Sequence, residues 1–154
     1  MNPKNLFLYI LSMLLFVALI AMPATLLAQT GSSEKNFRYW FERGALLSVY
    51  GNQDAAVHAF NKAIELEPGS GEAYFSLGVA YAERGDYEKG IRAVNMAISL
   101  NPEVSRYLYG RAWIHMRANN FEHGILDMKE AAQRHNEDAI RYLEGIAARH
   151  HVSY

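Results

Sequence analysis

Residues 63–102 read AIELEPGSGEAYFSLGVAYAERGDYEKGIRAVNMAISLNP, a stretch that opens and closes on nearly the same hexapeptide, AIELEP at 63–68 and AISLNP at 97–102. Pro68 and Pro102 therefore stand 34 residues apart. The same offset extends outward in both directions without a gap. It aligns Ala63, Ala97 and Ala131, then Gly44, Gly78 and Ala112, then Phe41, Phe75 and Tyr109. Asn52, Asp86 and Asn120 fall in register, each followed two residues later by Asp54, Glu88 or Glu122. A fixed period of this length is the mark of a stacked repeat, here over 37–70, 71–104 and 105–138.

Each unit contains two amphipathic stretches separated by a polar break, which predicts a helix–turn–helix. Asn52, Asp86 and Asn120 are N-cap residue types for the second helix, and the carboxylates after them lie at its positive end. Small residues recur where two helices must approach: Gly44, Gly78 and Ala112 on the first, Ala56, Gly90 and Gly124 on the second. Phe60, Val94 and Met128 fill the space between them. Pro68 and Pro102 stop the second helix, because proline lacks the amide proton that a continuing helix needs. A lone hairpin cannot bury its apolar face, whereas three stacked hairpins share a continuous core. Residues 137–150, EDAIRYLEGIAARH, form one more amphipathic pattern suited to capping the stack, with Glu137, Arg141, Glu144 and Arg149 on its polar side.

These residues resemble the tetratricopeptide-repeat (TPR) signature. The middle unit carries it on Tyr74, Leu77, Gly78, Tyr81, Ala97 and Pro102, departing at Gly90 and Val94. The first unit carries it on Trp40, Gly44, Ala56, Phe60, Ala63 and Pro68, departing at Arg43 and Leu47. The third is degenerate, with His115 at the tyrosine position and Asn136 at the proline. The resemblance implies an all-α, right-handed superhelical solenoid of three helix-turn-helix repeats with a C-terminal capping helix at 139–150 and a tail at 151–154.

The chain begins differently. Residues 5–33 hold no charged side chain, with Lys4 before them and Glu34 after. A positive start, an apolar run and small residues before a polar exit make an export signal, cut after Ala28. Leu6 to Leu27 is also long enough for a retained apolar helix anchored in a membrane. Either reading gives residues 1–28 a membrane role, makes 29–36 a linker, and places the body outside the cytoplasm, periplasmic or tethered to the inner membrane.

Composition removes several functions. A net charge of −1 gives no basic surface for nucleic acid. The absence of cysteine removes disulfides, thiolate metal sites and cysteine lipidation. The six histidines show no HExxH spacing, and Gly69-Ser70-Gly71 is not followed by the Lys of a phosphate loop. No enzyme, cofactor or metal is implied.

What remains is binding to another protein or peptide segment. The family resemblance implies a concave groove lined by the first helices, here Arg38, Phe41, Phe75, Val79, Arg106, Tyr109, Trp113, Met116 and Arg117. An aromatic floor edged by arginines suits an apolar anchor accompanied by an acidic group. Phe41, Phe75 and Tyr109 are equally placed to pack between neighbouring first helices. The family's chaperone-tail clamp needs lysine and asparagine where this chain has Phe41, Ala45 and Ser76, which argues against that ligand. The expected role is a non-catalytic adaptor of the cell envelope. The alternative is an integral structural subunit of a larger complex, with the N-terminal helix retained.

Overall fold

The structure is a computed structural model that describes residues 36–151. The expected signal or anchor at 1–28 and nearly all of the linker lie outside the described residues. Among the described residues seven helices follow one another: α1 (Phe37–Val49), α2 (Gln53–Leu66), α3 (Gly71–Glu83), α4 (Tyr87–Leu100), α5 (Ser105–Arg117), α6 (Phe121–Gln133) and α7 (Glu137–His151). The described residues contain no strand, and among them no helix is long and apolar enough to cross a membrane. α1 packs on α2, α3 on α4 and α5 on α6; each hairpin then packs on the next, and α7 packs on α6. The first helices also meet one another, α1 with α3 and α3 with α5.

The small residues permit this packing. A Cβ on Gly78 would lie 2.9 Å from the Gly90 carbonyl oxygen, and one on Gly90 would lie 2.8 Å from that of Gly78. Gly44 leaves room for the Phe60 ring, and Gly124 for Met116. Among the described residues, Phe60, Val94 and Met128, one period apart, are the largest fully buried side chains, and Ala63, Ala97 and Ala131 are also buried.

Within each hairpin the chain turns through one left-handed residue: Gly51 (φ 76°), Gly85 (φ 88°) and Asn119 (φ 60°). The amide of the following residue donates back to the last turn of the first helix, Asn52 to Leu47, Asp86 to Tyr81 and Asn120 to His115, at 2.8–2.9 Å. The hairpins themselves are joined by the proline turns. At the third junction, where Asn136 replaces proline, the chain repeats the tight turn instead. His135 takes φ 59°, the Asn136 amide donates to the Ala131 carbonyl at 3.0 Å, and the Asn136 side chain caps α7 at 2.9 Å. α7 starts at Glu137, where the amphipathic pattern of 137–150 begins and two residues before the capping-helix boundary expected at 139.

Only one of the three expected caps forms. Asn52 accepts from the Ala55 amide at 3.2 Å. Asp86 is drawn instead to Arg84 at 2.7 Å, and Asn120 to His123 at 2.8 Å.

The third hairpin has a polar seam where the second is apolar. Arg111 and Asp127 occupy the register positions of the buried Leu77 and Ala93. Arg111 donates twice to the buried Asp127, at 2.8 and 2.7 Å, and once to Asn95 at 2.6 Å. Such a pair contributes little net stability relative to an apolar one, but it makes each partner dependent on the other. His115 sits 3.9 Å from Asp127 with its ring stacked on His123 at 5.4 Å. Burial holds His115 below the usual histidine pKa; the Arg111 and His123 charges act in the same direction, and Asp127 opposes them in part.

Three outcomes are expected from this packing. Gly78→Ala should cost about 1–3 kcal/mol of unfolding free energy in a denaturant titration. Gly69→Ala, where nothing lies within 4 Å of an added Cβ, should stay within about 1 kcal/mol of the parent. Because the folded chain takes up the His115 proton less readily than the unfolded chain, stability is highest with that histidine neutral. It falls as pH drops through the usual value of 6.5. Thermal melts should show that fall shrinking in His115→Gln; an undiminished fall would remove His115 as its source.

Candidate functional site

α3 and α5 lie side by side, and their outward residues border a groove of about 440 Å³ that the start of α7 closes at one end. That volume lies within the range of about 300–1,000 Å³ common for ligand pockets. Its apolar lining comes from Phe75, Val79 and Ala82 on α3 and from Tyr109, Trp113 and Ile114 on α5; Asn136 and Asp138 contribute from the α7 end. Helical spacing explains the alignment. Phe75 and Val79, like Tyr109, Trp113 and Arg117, are four residues apart and so project from one side of their helix.

Phe75 serves both roles that its position allowed. Its ring stacks on Tyr107 at 5.0 Å and lies over Gly110, where a Cβ would collide with it. The same ring also lines the groove. Trp113, 43% exposed, meets Tyr109 and Tyr142 edge-on at 6.4 and 6.0 Å. It is a large aromatic surface held in place and left open.

Six of the nine expected residues line this groove: Phe75, Val79, Arg106, Tyr109, Trp113 and Arg117. Met116 does not. It lies one turn beyond Ala112, shares that residue's inward face, and is buried against Gly124 and the α7 side of the core. Phe41 packs on Phe37 at 5.6 Å and on Phe60 at 5.8 Å, so the first of the three aromatic positions is used for packing. Arg38 stands exposed beside Glu42, to which it donates at 2.7 Å. A smaller recess of about 180 Å³ between α1 and α3, lined by Ala45, Ser48 and Ser76, shares Phe75 and Val79 with the main groove.

The electrostatics of the rim differ from the sequence expectation. Arg106 is bonded to Glu72, and Arg117 to Glu83, each across one period from α5 to α3. The Arg106 guanidinium also lies 5.1 Å from the Phe75 ring centre, and that of Arg117 lies 5.9 Å from the Tyr87 ring centre. Tyr107 donates to Glu72 at 3.5 Å, and its hydroxyl pKa is raised first by burial and then by the Glu72 charge. Asp138 is paired with Arg141 on its own helix. Among the described residues no group of three or more His, Asp or Glu is arranged to hold a metal ion.

Comparison with known proteins places this architecture. A family model described as tetratricopeptide repeat matches residues 51–103 and 84–131, together more than half of the chain. No curated protein matches at a significant level. Among solved structures, MamA is similar at TM-score 0.62 and 22% identity, over 68% of this chain and 61% of that one, so the match spans about three-fifths of MamA. The first TPR of Spaghetti (RPAP3), bound to the HSP90 peptide SRMEEVD, is similar at TM-score 0.66 and 17% identity, over 76% of this chain and 94% of that one. YrrB, described as a TPR protein with an unusual peptide-binding site, is similar at TM-score 0.67 and 16% identity, over 73% of this chain and 59% of that one. At these identities the similarity concerns the fold.

Proposed function

This chain belongs to the tetratricopeptide-repeat family, and we propose that it is a non-catalytic adaptor that takes a segment of a partner protein into the groove between α3 and α5. The observation that carries this reading is Trp113, a tryptophan left 43% exposed on the floor of an apolar groove and fixed there by Tyr109 and Tyr142. Open aromatic anchors of this kind dominate the energy of protein interfaces. The similar structures give support in kind, since one is bound to an HSP90 peptide and another is described by its peptide-binding site.

On this proposal the domain is three repeats, 37–70, 71–104 and 105–138, wound in the family's right-handed sense and closed by α7. Residues 1–28 direct export, and the adaptor works in the cell envelope, periplasmic or tethered to the inner membrane by residues 6–27.

A second reading, a subunit packed permanently into a larger complex, is favoured by exposed apolar side chains near the end of α1. Leu46 and Val49 at the end of α1, and Tyr50 just after it, are 57%, 84% and 77% exposed. The register equivalents of Leu46, Ala80 and Ile114, are covered by neighbouring helices at 1% and 3%.

Two measurements test the proposal. A photo-crosslinking residue placed at Val79 or Trp113 of the full-length protein in its native cells should trap a partner, and one at Met96 on α4 should not. Trapping only from Met96 would move the site off the groove. Trp113→Ala should weaken capture about thirtyfold, the effect of losing an anchor worth about 2 kcal/mol, with helicity unchanged. Separately, the intact mass of protein from its native envelope should begin near Gln29 for an exported soluble adaptor. A mass retaining residues 1–28 would favour the tethered form or the permanent subunit.

A further inference from the structure

We infer that the groove selects an uncharged apolar segment and disfavours an acidic one, an inference that rests on the groove being the binding surface. Arginines beside an aromatic floor would ordinarily recruit a carboxylate. Here both are already engaged. Arg106 is held by Glu72 and by the Phe75 ring, Arg117 by Glu83 and by the Tyr87 ring, and each ion pair joins α5 to α3. The guanidiniums therefore link α5 to α3 across the rim of the groove. The rim acids Glu72, Glu83 and Asp138 are balanced by Arg106, Arg117 and Arg141, so no cationic excess is left over for a ligand. An incoming carboxylate would have to displace a glutamate or stand beside one. The floor of Val79, Tyr109, Trp113 and Ile114 offers apolar contact and few polar partners, so a side chain entering it gains most by being aliphatic or aromatic.

The test is a selection from a random peptide display library on the full-length protein carried in lipid nanodiscs, with Trp113→Ala protein as the counter-selection. Peptides that need Trp113 should be enriched in aliphatic and aromatic residues. Their aspartate and glutamate content should be about two- to fivefold below the library average, the scale set by exposed charge pairs. The same selection on a Glu72→Gln/Glu83→Gln double variant should lose that depletion, because its arginines are released. Acidic peptides enriched on the parent protein would overturn the inference and leave the groove reading standing. No peptide dependent on Trp113 would overturn the groove reading, and this inference with it. A double variant that is folded by circular dichroism and still disfavours acidic peptides would overturn the role given to the two glutamates. If the double variant does not fold, the parent selection decides alone.

Discussion

The contact between α3 and α4, where Gly78 and Gly90 bring two backbones too close for any side chain, sets the geometry on which the rest depends. With the hairpin closed so tightly, Val94 is buried beside it and the first helix is left with a second apolar face. That face can be covered only by a neighbouring hairpin, which is why α3 meets both α1 and α5. The groove is a by-product of the same arrangement. First helices lying side by side leave a furrow between them, and side chains four residues apart on each line its walls.

Much of this was legible in the sequence. The 34-residue period located the helices because helix-breaking turns and close contacts recur with it: α1, α3 and α5 begin one period apart, and so do α2, α4 and α6. Small residues marked the approaches because volume leaves a direct trace in the alphabet. Caps were less legible. Asp86 and Asn120 are good capping types, but Arg84 and His123 compete for their side chains, and that competition depends on three-dimensional neighbours. The extra tight turn before α7 was signalled by the loss of proline at Asn136, although the left-handed conformation of His135 was not.

The lining of the candidate groove was partly legible. The register brought Phe75, Val79, Tyr109 and Trp113 to one surface, because helical spacing alone fixes which residues share a face. It misplaced Met116, where one residue of rotation separates the groove from the core. It also left unread the partners of Arg106 and Arg117. Glu72 and Glu83 stand one period before them, so comparing charge as well as size and apolarity along the repeat would have exposed both ion pairs. The third hairpin offers a parallel lesson. What looks like decay of the repeat, Arg111 for Leu77 and Asp127 for Ala93, is a matched exchange of an apolar contact for a bonded ion pair.

On the proposed reading, the rim charges pair with one another across the repeats and the apolar floor is what meets a partner. Hydrogen–deuterium exchange of the full-length protein with and without its crosslinked partner tests that division most directly. Added protection is expected along α3 and α5 and at the start of α7, with α2, α4 and α6 unchanged. Protection concentrated on α4 and α6, with α3 and α5 unaffected, would contradict it.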